Sequence, residues 1–144
     1  MKKQWKWAIG IVVFCVLAPI AWAITAESIR TQAMFSGAAV VSRFLDDLRS
    51  HDYVAAYALM TPSEQAAILI VALQEGQKQI EKRKGRWLYP ASPNEIHPND
   101  ALDHITYFDT VRVRPEEEMF VFVRLVRTDD GWRVLEYHYD DGPA

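Results

Sequence analysis

The residues of this 144-residue chain that could do chemistry gather near its C-terminal end. In WRVLEYHY, residues 132–139, Glu136 and His138 stand two apart. In a β-strand that spacing puts both side chains on one face, together with Trp132 and Val134. On a pocket wall Glu136 would orient the imidazole of His138, and His138 would serve as a general base. The plainer expectation is a solvated strand end with both side chains in water. With Tyr57 and Trp132 they make a candidate ligand-binding set, Tyr57, Trp132, Glu136 and His138, suited to a hydrophobic small molecule.

Other chemistries find less support. His104 and Asp109 fall in one strand-like run, but their parity is opposite, so a same-face pair needs a bulge. His51, His97, His104 and His138 show no HxH, HxxxH or HExxH spacing, although His97, Asp100 and His104 could approach one another in a loop. No metal and no cofactor are expected. No serine stands in a Gly-x-Ser-x-Gly elbow, and the one cysteine, Cys15, lies inside an apolar run. An exported domain without further cysteines has neither a disulfide nor a thiolate nucleophile. No catalytic residue is assigned.

Charge narrows the partners. The net charge of −3 becomes −6 once the first 23 residues, with Lys2, Lys3 and Lys6, are set aside. A domain that acidic is a poor match for nucleic acid, whose phosphates need a basic face. One basic group stands out, Lys82, Arg83, Lys84 and Arg86, near the end of a helix whose C-terminal dipole favours cations. It reads as a solvated last turn or as a surface for lipid headgroups or an acidic partner. Glu116, Glu117 and Glu118 read as a solubilising turn.

The N-terminal stretch decides where these groups work. Three lysines precede about 18 apolar residues, long enough at 1.5 Å per residue to span roughly 27 Å of hydrocarbon. The basic flank stays in the cytoplasm, so the rest of the chain is exported. Trp5 and Trp7 at one end and Trp22 at the other suit a retained anchor through residues 7–24. Ala21-Trp22-Ala23, with Pro19 upstream, suits cleavage after Ala23 and a secreted or periplasmic protein. The anchor is the reading preferred here, giving a single-pass protein of the cytoplasmic membrane with its domain outside.

The elements behind the candidate site follow from periodicity. Met34, Val41, Phe44, Leu45 and Leu48 recur at helical spacings between Glu27 and Ser50. Asp52 caps a second short helix with Tyr53, Ala56, Tyr57 and Met60. Thr61-Pro62-Ser63-Glu64 is a capping box opening a third, which passes through Ile68, Leu69, Ala72 and Leu73 and ends near Gly76 or at Gly85. Residues 89–100, with three prolines, read as loop. Strands are expected over Ile105–Arg114, Met119–Thr128 and Trp132–Tyr139, the last two joined by a tight Asp129-Asp130-Gly131 turn. Helices followed by an antiparallel sheet make an α+β domain. Tyr53, Tyr57, Trp87, Tyr107, Phe120, Phe122 and Trp132 would supply its apolar interior.

Two segments carry a resemblance. FLDDLRSHDYVAAYALMTPSEQ, residues 44–65, resembles the opening helices of the nuclear transport factor 2-like superfamily, which includes SnoaL-like and ketosteroid isomerase-like proteins. DDGWRVLEYHY, residues 129–139, is similar to its last hairpin and strand. The resemblance implies a conical domain, with N-terminal helices packed on a curved antiparallel sheet around a pocket, behind the N-terminal transmembrane or signal helix read above. The expected divisions are an anchor or signal peptide over 1–24, a helical stalk over 25–36 and the α+β domain over 37–142. The fold does not transmit a function.

Two functions therefore stand. The first is a membrane-tethered extracytoplasmic binding or assembly module without catalytic activity, its partner an envelope protein or a second copy in a homodimer. The alternative is a small-molecule carrier, or an isomerase- or dehydratase-like enzyme, using the conical pocket.

Overall fold

In a computed structural model of the chain, the backbone is described for residues 2–88, 93–114 and 117–140, and the side chains for the same residues apart from 2–18, 20, 21, 93, 94, 117 and 140. The chain divides into two compact units, Met1–Ala33 and Met34–Ala144. The first unit is helical and belongs to α1, Lys2–Arg49, which continues through Pro19. The expected membrane segment, residues 7–24, falls largely on side chains outside the described residues. Among the described residues no helix is long and apolar enough to cross a membrane.

In the second unit, α1 buries the stripe read from its spacing: Val41, Phe44, Leu45 and Leu48 have no solvent exposure. Gly37 lies on the same helix. A Cβ there would run into the hydroxyl end of the Tyr107 ring, whose O–H donates to the Met34 carbonyl at 2.7 Å. Helix α2, Tyr53–Ala58, starts where expected, with the Asp52 carboxylate accepting from Ala55 N–H at 3.1 Å.

The expected third helix is two helices, α3 at Pro62–Ala67 and α4 at Ile70–Lys84. Thr61 caps α3 by accepting from Glu64 N–H at 3.3 Å. The reciprocal half of the box is not made by Glu64, because Thr61 N–H donates to the Val134 carbonyl instead. The break at Ile68 and Leu69, both extended, has a local cause. A continuous helix would use the Gln65 carbonyl for Leu69 N–H, but the Tyr57 hydroxyl donates to that carbonyl. The Gln65 amide in turn donates to the Tyr57 carbonyl at 2.8 Å and the Met60 carbonyl at 3.3 Å. Helix α4 ends at Gly85, whose φ of +105° suits glycine.

Four strands form one antiparallel sheet in the order β1 (Pro93–Pro98), β2 (His104–Arg114), β3 (Glu117–Thr128) and β4 (Gly131–Asp140). Part of the segment expected as loop is therefore strand β1. Its prolines stand at the two ends of an edge strand, where a missing N–H is tolerated. Alternation on β2 and β3 buries Ile105, Tyr107, Asp109, Val111 and Val113, and Met119, Val121, Val123 and Leu125.

Strand β4 does not alternate uniformly. Leu125 pairs with Val134, but Arg124 pairs with Glu136, so Leu135 is an additional residue. Before the bulge, Val134 engages residues outside the sheet: its N–H donates to the Leu59 carbonyl at 2.8 Å, and its carbonyl accepts from Thr61 N–H at 2.9 Å. After the bulge the parity is reversed. Tyr137 packs on Phe44, and Tyr139 packs on Trp87, so both join the helical side of the sheet.

Candidate functional site

The bulge sets the fate of the predicted site. Glu136 and His138 do not share a face with Trp132 and Val134, because Leu135 sends them to the opposite, outer face. Trp132 is buried on the helical side, its indole N–H donating to Ser36 Oγ at 3.0 Å. Tyr57 is engaged with Gln65 at the α3–α4 break. Of the four residues, only Glu136 and His138 come together, with Glu136 Oε1 2.5 Å from His138 Nε2. The hydrogen bond from His138 holds the Glu136 carboxyl below its ordinary range, helped by Arg124, whose Nη1 lies 3.0 Å from Glu136 Oε2.

That pair borders an aromatic surface that the sequence reading assigned in part to the interior. Phe108 is 41% exposed and Phe120 49%. His97 meets Phe108 edge to face at 5.4 Å, Phe108 meets Phe122 at 5.3 Å, and Phe122 meets His138 at 5.8 Å. The ladder crosses all four strands. Arg124 lies over the Phe122 ring at 5.6 Å. Phe108, Phe120, Phe122 and His138 border a shallow groove of ≈ 340 Å³, with Asp109 and Val121 in its floor. The missed signal is in the parity of the strands. In ITYFDTVRVR and MFVFVRLVRT, Phe108, Phe120 and Phe122 share the parity of Arg112 and Arg124, which must face water.

The inner face is occupied by side chains. Phe44, Tyr137, Tyr139 and Trp87 form a continuous aromatic contact at centroid distances of 5.2, 5.5 and 5.7 Å. The Tyr139 hydroxyl donates to Gln77 Oε1 at 3.1 Å. Burial pushes the Tyr137 hydroxyl up to about 12, and that of Tyr139 well above its ordinary value. Two buried polar atoms here lack a hydrogen-bond partner, Trp87 Nε1 and Asp109 Oδ2. Burial raises the Asp109 carboxyl to about 6, against the opposing effect of Thr110 N–H donating to Oδ1 at 2.6 Å.

The remaining candidates are dispersed. His104 Nδ1 pairs with Asp103 Oδ1 at 2.9 Å rather than with His97 or Asp100. Among the described residues no three His, Cys, Asp or Glu side chains are grouped to hold a metal. Lys82, Arg83 and Lys84 occupy the last turn of α4, with Arg86 just beyond Gly85. They belong to the helical side of the domain, whereas the aromatic ladder lies on the outer face of the sheet.

No protein-family model and no curated protein matches the chain. Solved structures do match in fold. A dehydratase candidate of the nuclear transport factor 2-like family from Streptomyces avermitilis aligns with 79% of this chain and 99% of its own, at a TM-score of 0.57 and 10% identity. A nuclear transport factor 2-like protein with a cystatin-like fold from Novosphingobium aromaticivorans covers 83% and 90%, at 0.52 and 17%. A calcium/calmodulin-dependent protein kinase type II association-domain candidate from Thiobacillus denitrificans covers 73% and 94%, at 0.50 and 14%. The class this defines is one of fold. The domain has the nuclear transport factor 2-like, cystatin-like α+β architecture, with N-terminal helices packed on a four-stranded antiparallel sheet.

Proposed function

We propose that this chain is a membrane-tethered, extracytoplasmic binding or assembly module without catalytic activity, and that it binds through the outer face of its sheet. One observation carries the reading. The Leu135 bulge turns Tyr137 and Tyr139 inward to pack the helical side, and the other face presents Phe108 and Phe120 exposed and Phe122 half-buried. An exposed aromatic surface rimmed by charged pairs has the make-up of a binding face rather than of a solvated one. The tether is read from the sequence, from the three N-terminal lysines and the apolar run over residues 7–24. The fold likeness to an association-domain candidate is in keeping with this reading but assigns no role.

A small-molecule site inside the domain ranks second. The unpartnered Trp87 Nε1 and Asp109 Oδ2 favour it, as does the dehydratase candidate among the fold relatives. It ranks lower because Tyr57, Trp132, Glu136 and His138 do not line one pocket.

The test is the intact mass and orientation of the native protein. We expect the full-length mass in the membrane fraction, and digestion of the domain by protease added from outside the cytoplasmic membrane. A soluble chain lacking residues 1–23 would overturn the tether, and a protected domain would overturn its placement.

A further inference from the structure

A second cleft shares no residue with the aromatic groove. It has a volume of ≈ 270 Å³ and lies between the passage from α2 to α3 and the β3–β4 hairpin. Both walls are fixed by the fold. Val134 N–H donates to the Leu59 carbonyl at 2.8 Å, and Thr61 N–H to the Val134 carbonyl at 2.9 Å, which stitches the helical wall to β4. On the other wall the Thr128 hydroxyl closes the hairpin by donating to the Gly131 carbonyl at 2.8 Å. The cleft is therefore formed before anything enters it.

Its polar groups are held but not used up. Arg133 is half-buried, and its Nη1 donates to the Ala58 carbonyl at 2.6 Å. Among the described residues its Nε and Nη2 make no hydrogen bond, and no carboxylate pairs with it. Those two N–H groups lie along one edge of the guanidinium plane, an edge that grips a carboxylate with two parallel bonds. The bond to Ala58 sets the plane in advance, so little side-chain freedom is lost on binding. Gln65 is anchored in the same way. Its amide nitrogen donates to the Tyr57 and Met60 carbonyls at 2.8 and 3.3 Å, which leaves Oε1 to accept from a ligand. Asp130 adds a carboxylate to the lining, and Met60 and Pro62 an apolar floor.

From this we propose that the cleft binds a free α-amino acid with a small apolar side chain. Arg133 takes its carboxylate, Asp130 and Gln65 Oε1 take its ammonium, and Met60 and Pro62 take its side chain. The proposal goes beyond the outer-face reading and does not depend on it. Arg133 and Asp130 line one cleft without pairing, so a ligand that carries both charges can stand between them. A plain carboxylate would meet Asp130 and a plain amine would meet Arg133, each a like-charge contact with nothing to offset it. The acidic balance of the chain beyond residue 23 also works against a simple anion. The volume lies below the roughly 300–1,000 Å³ of drug-sized sites, which limits the ligand to about one residue.

The experiment titrates L-valine into the isotope-labelled full chain in a mild detergent and follows the backbone amide resonances. Saturable shifts are expected at Thr61, Thr128 and Gly131, which border the cleft. Isovalerate is L-valine without its ammonium, and isobutylamine is L-valine without its carboxylate. Each should bind at least roughly 10-fold more weakly than the amino acid. Arg133→Gln should weaken L-valine by roughly 10- to 100-fold. Because Arg133 also holds Ala58, the second variant is Asp130→Asn, in the exposed turn. It should weaken L-valine and strengthen isovalerate, an opposite pair of effects that damage to the fold does not produce. The absence of saturable shifts at these residues would overturn the proposal. So would isovalerate binding the parent as tightly as L-valine, Arg133→Gln binding L-valine as the parent does, or Asp130→Asn moving both ligands in one direction.

Discussion

Burial raises the Asp109 carboxyl to about 6, and the sign of its effect on stability follows from that shift. The ordinary value of 3.8 applies in the unfolded chain and about 6 in the folded one, so the folded state binds the proton more tightly. The contribution is fully present below pH ~4 and is lost as the pH rises through 6, a swing of roughly 3 kcal/mol. Asp109→Asn keeps a neutral group of the same shape. We expect it to match the parent at pH 4 and to exceed it by roughly 1–3 kcal/mol at pH 7.5 in urea unfolding. A difference that stays constant across this range would mean that Asp109 ionises as it does in water. Tyr57 shows the other side of residue-scale reasoning. Its type suggested a ligand contact, but its hydroxyl serves the backbone, taking the carbonyl of Gln65 and ending α3.

Among the elements, the β4 bulge has the largest consequence, because it decides which side chains are interior. Inserting one alanine after Leu135 would cancel the parity switch and put Glu136 and His138 on the helical side in place of Tyr137 and Tyr139. We expect a loss of at least roughly 3 kcal/mol, comparable to removing one large aromatic from a core, seen as a lower urea midpoint or outright unfolding. Unchanged stability would show that the strand re-registers freely. This is also where sequence reasoning failed and why. The Thr61-Pro62 cap, the stripe on α1 and the alternation of β2 and β3 are local patterns and could be read directly. The α3–α4 break rests on the contact of Tyr57 with Gln65, and β1 was hidden by prolines that an edge strand tolerates. The Glu136–His138 contact was legible from a spacing of two, but its face was not. A clue existed in Tyr137 and Tyr139, two large aromatics on the parity otherwise assigned to solvent.

At the scale of the whole molecule, two facts pull against each other. The chain beyond residue 23 is acidic, so an acidic partner is repelled before it meets the aromatic face. That repulsion is screened beyond about 8 Å at physiological ionic strength, leaving the contact itself to decide the outcome. A tether changes the balance in a different way, by confining the domain to one surface and one orientation, which raises its effective concentration toward a partner on that surface without any new contact. Tethered and free forms should therefore meet such a partner through the same outer-face residues but at different concentrations. We expect a chain beginning at Glu27 to need on the order of 100-fold more protein than the full chain, added to the same membranes, to reach the same protection of Phe108 and Phe120 from hydroxyl-radical labelling. If the two forms reach that protection at equal bulk concentration, the N-terminal segment contributes nothing to binding, and the outer face must be strong enough to hold its partner unaided. If the short form is protected at other residues, the tether selects the geometry as well as the concentration.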